Sequence, residues 1–144
     1  MWEDIVGYSR AIKVGNLIEI AGTAAGKNGE VIYSHDPYQQ SVYIIKIIEN
    51  VLKQLDARLE DVIRTRIYLR NVDDWPEVAK AHGEYFKKIK PVCTMVAVSS
   101  MINPDILVEI EATAITVSYT HLRAHETVLD IVCRLLLEKK KKNT

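Results

Sequence analysis

The chain has 144 residues, 48% hydrophobic and 26% charged, and its 19 basic and 19 acidic side chains give a formal net charge of zero. That length suits one domain, and the composition excludes a disordered chain and gives no general pull toward nucleic acid. No apolar run approaches the roughly 18–20 residues that span a bilayer, and two cysteines, Cys93 and Cys133, cannot build a disulfide scaffold. The acidic opening Met1-Trp2-Glu3-Asp4 does not read as a signal peptide. The expected setting is the cytoplasm, with neither a membrane nor a nucleic-acid partner.

In chain order, Ala11 to Val14 and Leu17 to Ala21 read as short strands around a Gly15-Asn16 turn. Gly26-Lys27-Asn28-Gly29 is a second turn signal. Asp36-Pro37-Tyr38-Gln39 starts a helix, with Asp as N-cap, Pro at N1 and Gln at N3. The stripe Ser41, Ile44, Ile45, Ile48, Val51, Leu52, Leu55 then marks its buried face. Val62 to Leu69 alternates as a strand, with Ile63, Ile67 and Leu69 opposite Arg64, Arg66 and Tyr68. A second helix begins near Asp74-Trp75-Pro76-Glu77, where Asp74 and Glu77 can form a capping box. Val78, His82, Tyr85 and Ile89 line its inner side, and Lys90-Pro91 closes it. Cys93 to Val98 and Ile106 to Val117 are the last strands.

The order ββαβαββ implies an α+β fold: one mixed sheet with two crossover helices, which right-handed connections place on one face. The other face is uncovered yet partly apolar. Ile106, Val108, Ile110, Ala112 and Ala114 alternate with Leu107, Glu109, Glu111, Thr113 and Ile115. Such a sheet hides its second face by oligomerising.

Composition breaks near residue 117. Residues 118–144 carry six basic and three acidic side chains, leaving 13 basic and 16 acidic in 1–117. Val117 to Thr127, VSYTHLRAHET, resembles one reading frame of a transposase-type sequencing adapter, IVCRLLLE resembles its remainder, and Lys139 to Lys142 resemble translated poly-A. We therefore read 1–117 as the domain and 118–144 as a non-native tail. His121, His125 and Cys133 have metal-ligand types at helical spacing, and the lysines mimic a nucleic-acid patch. Neither is read as functional, and no metal site is expected. Leu129, Val132, Leu135 and Leu136 recur at helical spacing all the same.

Three stretches carry a resemblance to a known family. They are Gly7-Tyr8-Ser9-Arg10-Ala11 with Val14-Gly15-Asn16 and Ala21-Gly22-Thr23; Arg64-Thr65-Arg66-Ile67-Tyr68-Leu69 with Asp73-Asp74-Trp75; and Lys90-Pro91-Val92-Cys93-Thr94-Met95-Val96 with Leu107-Val108-Glu109-Ile110-Glu111-Ala112. Over 5–117 the chain resembles the RidA (YjgF-like) reactive-intermediate deaminases, which act in metabolite damage control. The resemblance implies a chorismate-mutase-like fold, a homotrimer, small-molecule clefts between subunits and no cofactor. It also implies hydrolysis of 2-imino acids, formed from enamines, to 2-keto acids and ammonia.

By that resemblance Glu109 falls on the acid/base position, Tyr8 on the pocket tyrosine and Gly22 on the glycine of the strand edge. The reaction also needs a cation for the substrate carboxylate. Family deaminases carry arginine where this chain has Cys93, and a thiol has neither the charge nor the fork. Ala21 and Ala79 stand where serine and asparagine are common. Lys90 is the nearest basic substitute, and Arg64, Arg66 and Arg70 are cations that a neighbouring subunit could supply.

Blander readings stay open: Glu109 and Glu111 solvated or paired with arginine, Tyr8 in packing, His82 in the core, Cys93 without a partner histidine. So do two other functions, a non-catalytic trimeric metabolite binder and a hydrolase of a different imine, amide or carbamate.

Overall fold

A computed structural model describes residues 2–117. Its main sheet holds β1 (Ala11–Val14), β2 (Leu17–Thr23), β5 (Val62–Leu69), β6 (Val92–Ala97) and β7 (Val108–Ile115), in the order β1-β2-β7-β5-β6. β5 and β6 run parallel and every other pair is antiparallel, so the sheet is mixed, as expected. β3 (Gly26–Lys27) and β4 (Glu30–Val31) form a small separate hairpin at the second turn signal. The helical spacing of Leu129, Val132, Leu135 and Leu136, together with His121, His125 and Cys133, lies outside the described residues.

Helix α2 (Pro37–Gln54) starts as its sequence dictates: Asp36 accepts the Gln39 N–H at 3.0 Å, and proline occupies the first turn. Its stripe is the core, with Ile44, Ile45, Ile48 and Leu52 at most 1% exposed. They pack with Ile18, Ile20, Ile67, Leu69, Val108 and Ile110 from the sheet. Burying each such side chain contributes about 1.5–3 kcal/mol. Helix α3 (Trp75–Phe86) adds Val78 and Phe86 to the same cluster, which places both helices on one face.

Four details depart from the sequence reading. The Asp74–Glu77 capping box does not form: Asp74 lies in a 3-10 turn, Val72–Asp74, that runs straight into α3. Asn71 caps that turn instead, accepting the Asp73 N–H at 3.0 Å. In β5 a bulge between Val62 and Arg64 sends Val62 into the core and turns Ile63 outward, so Ile63 does not share a side with Ile67. β7 begins at Val108, not Ile106, because the Leu107 N–H goes to the Gln40 side chain and the Ile106 N–H to the Asn103 carbonyl within the preceding loop. A short helix, α1 (Trp2–Val6), precedes the sheet and ends at Gly7, whose φ of +83° suits glycine.

Gln40 fastens the two halves. It is fully buried, its Nε2 donates to the carbonyls of Ile32 (3.1 Å) and Asp105 (2.9 Å), and its Oε1 accepts from Leu107 (2.9 Å). The other face of the sheet has no covering layer among the described residues. Ile12, Val14 and Leu17 stand 44–69% exposed along one margin, and Val92 and Val96 are 60% and 44% exposed along the other. Between these margins lies a polar centre. No helix of the described residues is long and apolar enough to cross a membrane.

Candidate active site

The polar centre is set by alternation. β7 buries Val108, Ile110, Ala112 and Ala114, so Glu109, Glu111 and Thr113 point to the uncovered face. Tyr68 pairs with Glu109 and Arg66 with Glu111 across the β5–β7 ladder. The two carboxylates, two residues apart, have different surroundings. Glu111 accepts the Tyr68 hydroxyl at 2.6 Å and lies 3.8 Å from Arg66 Nε. That hydrogen bond, with some burial, raises the Tyr68 phenol, which therefore stays protonated as a donor.

Glu109 has no such partners: among the described residues no donor hydrogen-bonds its carboxylate. Burial pushes its carboxyl above the usual value, Arg10 opposes that shift and Glu111 adds to it. Its seat is a second bulge. Between Ile20 and Thr23, β2 carries one residue more than β7 opposite, and Thr23 Oγ1 donates to the Ala21 carbonyl at 2.8 Å to close it. This brings the Gly22 backbone under the Glu109 side chain. A methyl group at Gly22 would stand 2.7 Å from Glu109 Oε1. Glycine is needed there for the close approach, not for an unusual φ.

Gly7 then matters for Tyr8. The Gly7 and Tyr8 N–H groups both donate to the Glu3 carbonyl, at 2.9 and 3.1 Å, turning the chain so that Tyr8 lies half-buried beside the sheet. Tyr8, Glu19, Ala21 and Glu111 line a groove of about 380 Å³ on this face. A larger depression, about 780 Å³, lies against the end of α3 beside Tyr85, Lys87 and Lys88, away from these carboxylates.

Tyr8 lines the smaller groove with Glu111 and not with Glu109 or Gly22, so of the residues expected in the site Gly22 and Glu109 are brought into contact. Cys93 and Lys90 are not, within one chain. Cys93 is exposed on the edge strand β6, and its parity with the core-packed Met95 and its pairing with buried Thr65 put it on the helix side. Lys90 is exposed at the turn after α3, with φ +54° and its N–H donated to the Phe86 carbonyl at 2.8 Å. Arg70 is occupied by the carbonyls of Ile106 and Asn103, both at 3.2 Å. His82 is half-buried, 2.9 Å from Thr65 Oγ1 and against the Phe86 ring. Its burial lowers its pKa, so it is neutral near pH 7. Among the described residues no cluster of three metal-ligating side chains forms.

Sequence reasoning gave Arg10 no place in the site. Its Nη2 donates to the Gly22 carbonyl at 2.6 Å, and its guanidinium carbon is 5.7 Å from the centre of the Tyr8 ring. A signal existed: Arg10 shares the parity of Ile12 and Val14, which puts it on the uncovered face.

The family model described as endoribonuclease L-PSP matches residues 2–116. The chain belongs to that family, also known as YjgF/RidA. One relative is a RutC family protein of Pyrococcus abyssi, 36% identical over 109 residues, covering 74% of this chain and 84% of that protein. Another is the 3-aminoacrylate deaminase RutC of Acinetobacter baylyi, 29% identical over 108 residues, or 74% of this chain and 85% of that one. Among solved structures, a Mycobacterium tuberculosis member of the YjgF/YER057c/UK114 family superposes with a TM-score of 0.72 at 42% identity, covering 80% of this chain and 92% of that chain. The YjgF/RidA family thus accounts for the mixed sheet and the two helices.

Proposed function

We propose that the chain hydrolyses the C=N bond of small imines, tautomers of enamines, in clefts completed by neighbouring copies of a homotrimer. The observation that carries this reading is the contrast between the two carboxylates: Glu111 is held by Tyr68 and Arg66, whereas Glu109, partly desolvated over Gly22, accepts no hydrogen bond from the described residues. Environments that separate two neighbouring acids are how one of them becomes an acid/base. The likeness to a relative named a 3-aminoacrylate deaminase supports the same substrate class, an enamine or imine of a small carboxylic acid.

In the proposed reaction, ionised Glu109 takes a proton from water as the oxygen adds to the imine carbon. The Glu109 carboxylic acid gives that proton to the nitrogen as the C=N bond becomes a C–N bond, giving a carbinolamine. The regenerated Glu109 carboxylate then takes the hydroxyl proton and passes it to the nitrogen; the C=O bond forms as the C–N bond breaks, and ammonia leaves behind a carbonyl compound. No electrons are exchanged, so the step calls for no redox partner. The apolar margins around Leu17 and Val92 are the surfaces by which copies would meet.

A second reading, binding without turnover, is favoured by one observation: exposed Cys93 stands where family deaminases carry arginine, on the face opposite Glu109. A single experiment separates the two. An amino-acid dehydratase generates 2-iminobutanoate in the presence of semicarbazide, and the full chain is added. Suppression of the semicarbazone by wild type but not by Glu109→Gln supports hydrolysis. Undiminished semicarbazone, with a melting temperature raised by 2-ketobutanoate, supports binding alone. Sedimentation at three times the 16.4 kDa chain mass tests the trimer.

A further inference from the structure

The reading of Glu109 leaves Arg10 without a role, yet the site is built around it. Arg10 precedes β1 and faces the uncovered side, because its neighbour Ala11 packs on the core. Its carbonyl accepts the Ala21 N–H at 3.0 Å, and its Nη2 donates to the Gly22 carbonyl at 2.6 Å, so it holds both residues of the β2 bulge. Its guanidinium lies over Tyr8. Its Nε is buried with no hydrogen-bond partner among the described residues. A buried, orphaned donor is costly and calls for an explanation beyond packing.

We propose that Arg10 is the positioning residue of this site: it grips the Gly22 bulge from one side so that the bulge seats the Glu109 carboxylate on the other, and its guanidinium charge acts on that carboxylate across the bulge. This rests on the reading of Glu109 as the acid/base and deepens it. Among the described residues the other polar or charged groups on this face of the neighbouring strands are Tyr8, Glu19 on β2, Arg64, Arg66 and Tyr68 on β5, with Arg64 further along beside Thr113, and Glu111 on its own strand. Arg66 is drawn to Glu111, and Tyr68 donates to Glu111 as well. Arg10 is left as the cation that offsets burial at Glu109.

The test titrates Glu109 in the full chain by carboxyl carbon NMR, its resonance assigned by loss in Glu109→Gln. Arg10→Gln keeps a donor for the Gly22 carbonyl and removes the charge; Arg10→Lys keeps both. The expected result is an upward shift of the Glu109 midpoint in Arg10→Gln, and a midpoint close to wild type in Arg10→Lys. In the imine assay, the acid limb of kcat/KM moves up in parallel in Arg10→Gln. Equal midpoints in wild type and Arg10→Gln overturn the proposal. So does a shift in Arg10→Lys as large as in Arg10→Gln, since packing and not charge would then be responsible. If Arg10→Gln does not fold, Arg10→Met takes its place in the same comparison. The titration requires no turnover, so the expected shift in a chain that hydrolyses no imine would uphold the hold of Arg10 on Glu109 and sink only the hydrolytic reading.

Discussion

Glu109 and Gly22 compete for the same space: the carboxylate of one rests where the other would carry its Cβ, 2.7 Å from Oε1. Backbone cannot yield as a flexible side chain can, so Gly22→Ala must push the carboxylate aside. Displacing a catalytic group by about 1 Å can cost on the order of 100-fold in rate. Gly22→Ala is therefore expected to fold, to lower the proposed imine hydrolysis about 100-fold, and to leave the Tyr68–Glu111 hydrogen bond in place. Steady-state assay together with a crystal structure of the variant checks all three.

Glu109 also has a stability signature. Burial raises its carboxyl in the folded chain, so the folded state holds the proton more tightly than the unfolded one. Stability from this group is then full below the unfolded value of about 4.3 and lost as pH rises through the folded value. Glu109→Gln removes a charge that burial disfavours. Its melting temperature should exceed that of wild type at neutral pH, with the gap closing by about pH 4. A variant less stable than wild type at neutral pH would contradict this account.

His82 behaves in the opposite sense. Burial depresses its pKa, so its contribution is present above the unfolded value of about 6.5 and lost as pH falls through the folded value. Thr65, fully buried, depends on His82 for its hydroxyl partner at 2.9 Å. Urea midpoints of wild type should decline below about pH 6.5, and His82→Phe should flatten that decline while costing about 1–3 kcal/mol for the orphaned hydroxyl.

Gln40→Ala should be more damaging to the fold than any of the changes above. It strands the Leu107 N–H and the carbonyls of Ile32 and Asp105. A loss of about 3 kcal/mol is expected, with faster amide exchange at Leu107 than at Ile44. Gln40→Glu would keep the acceptor for Leu107 but set a buried carboxylate against the carbonyls of Ile32 and Asp105, and at neutral pH should cost at least as much as Gln40→Ala.

How much of this is legible in the sequence follows from the range of each cause. The α2 stripe and the β7 alternation are set by local periodicity, so Ile44, Ile48, Glu109 and Glu111 fall on their faces as read. The bulges are not local: the extra residue at Ala21-Gly22 and the outward turn of Ile63 depend on how strands pair across the sheet. Asn71 displaced Asp74 as the cap because a 3-10 turn fused with the helix. Gln40 carries no local signal, because its partners are Ile32 and the distant residues Asp105 and Leu107. Glu109 and Gly22 are picked out by family resemblance, and what the structure adds is their mutual contact, which depends on the bulge.

The sheet leaves β1 and β6 as its two borders, and among the described residues neither outer border is paired. Backbone donors and acceptors along such borders invite extension by further chains. Copies that join border to border around a closed rotation exhaust both and stop growing; copies joined by an open screw would polymerise. The angle between successive copies, more than the strength of any one contact, therefore separates a finite ring from a fibre.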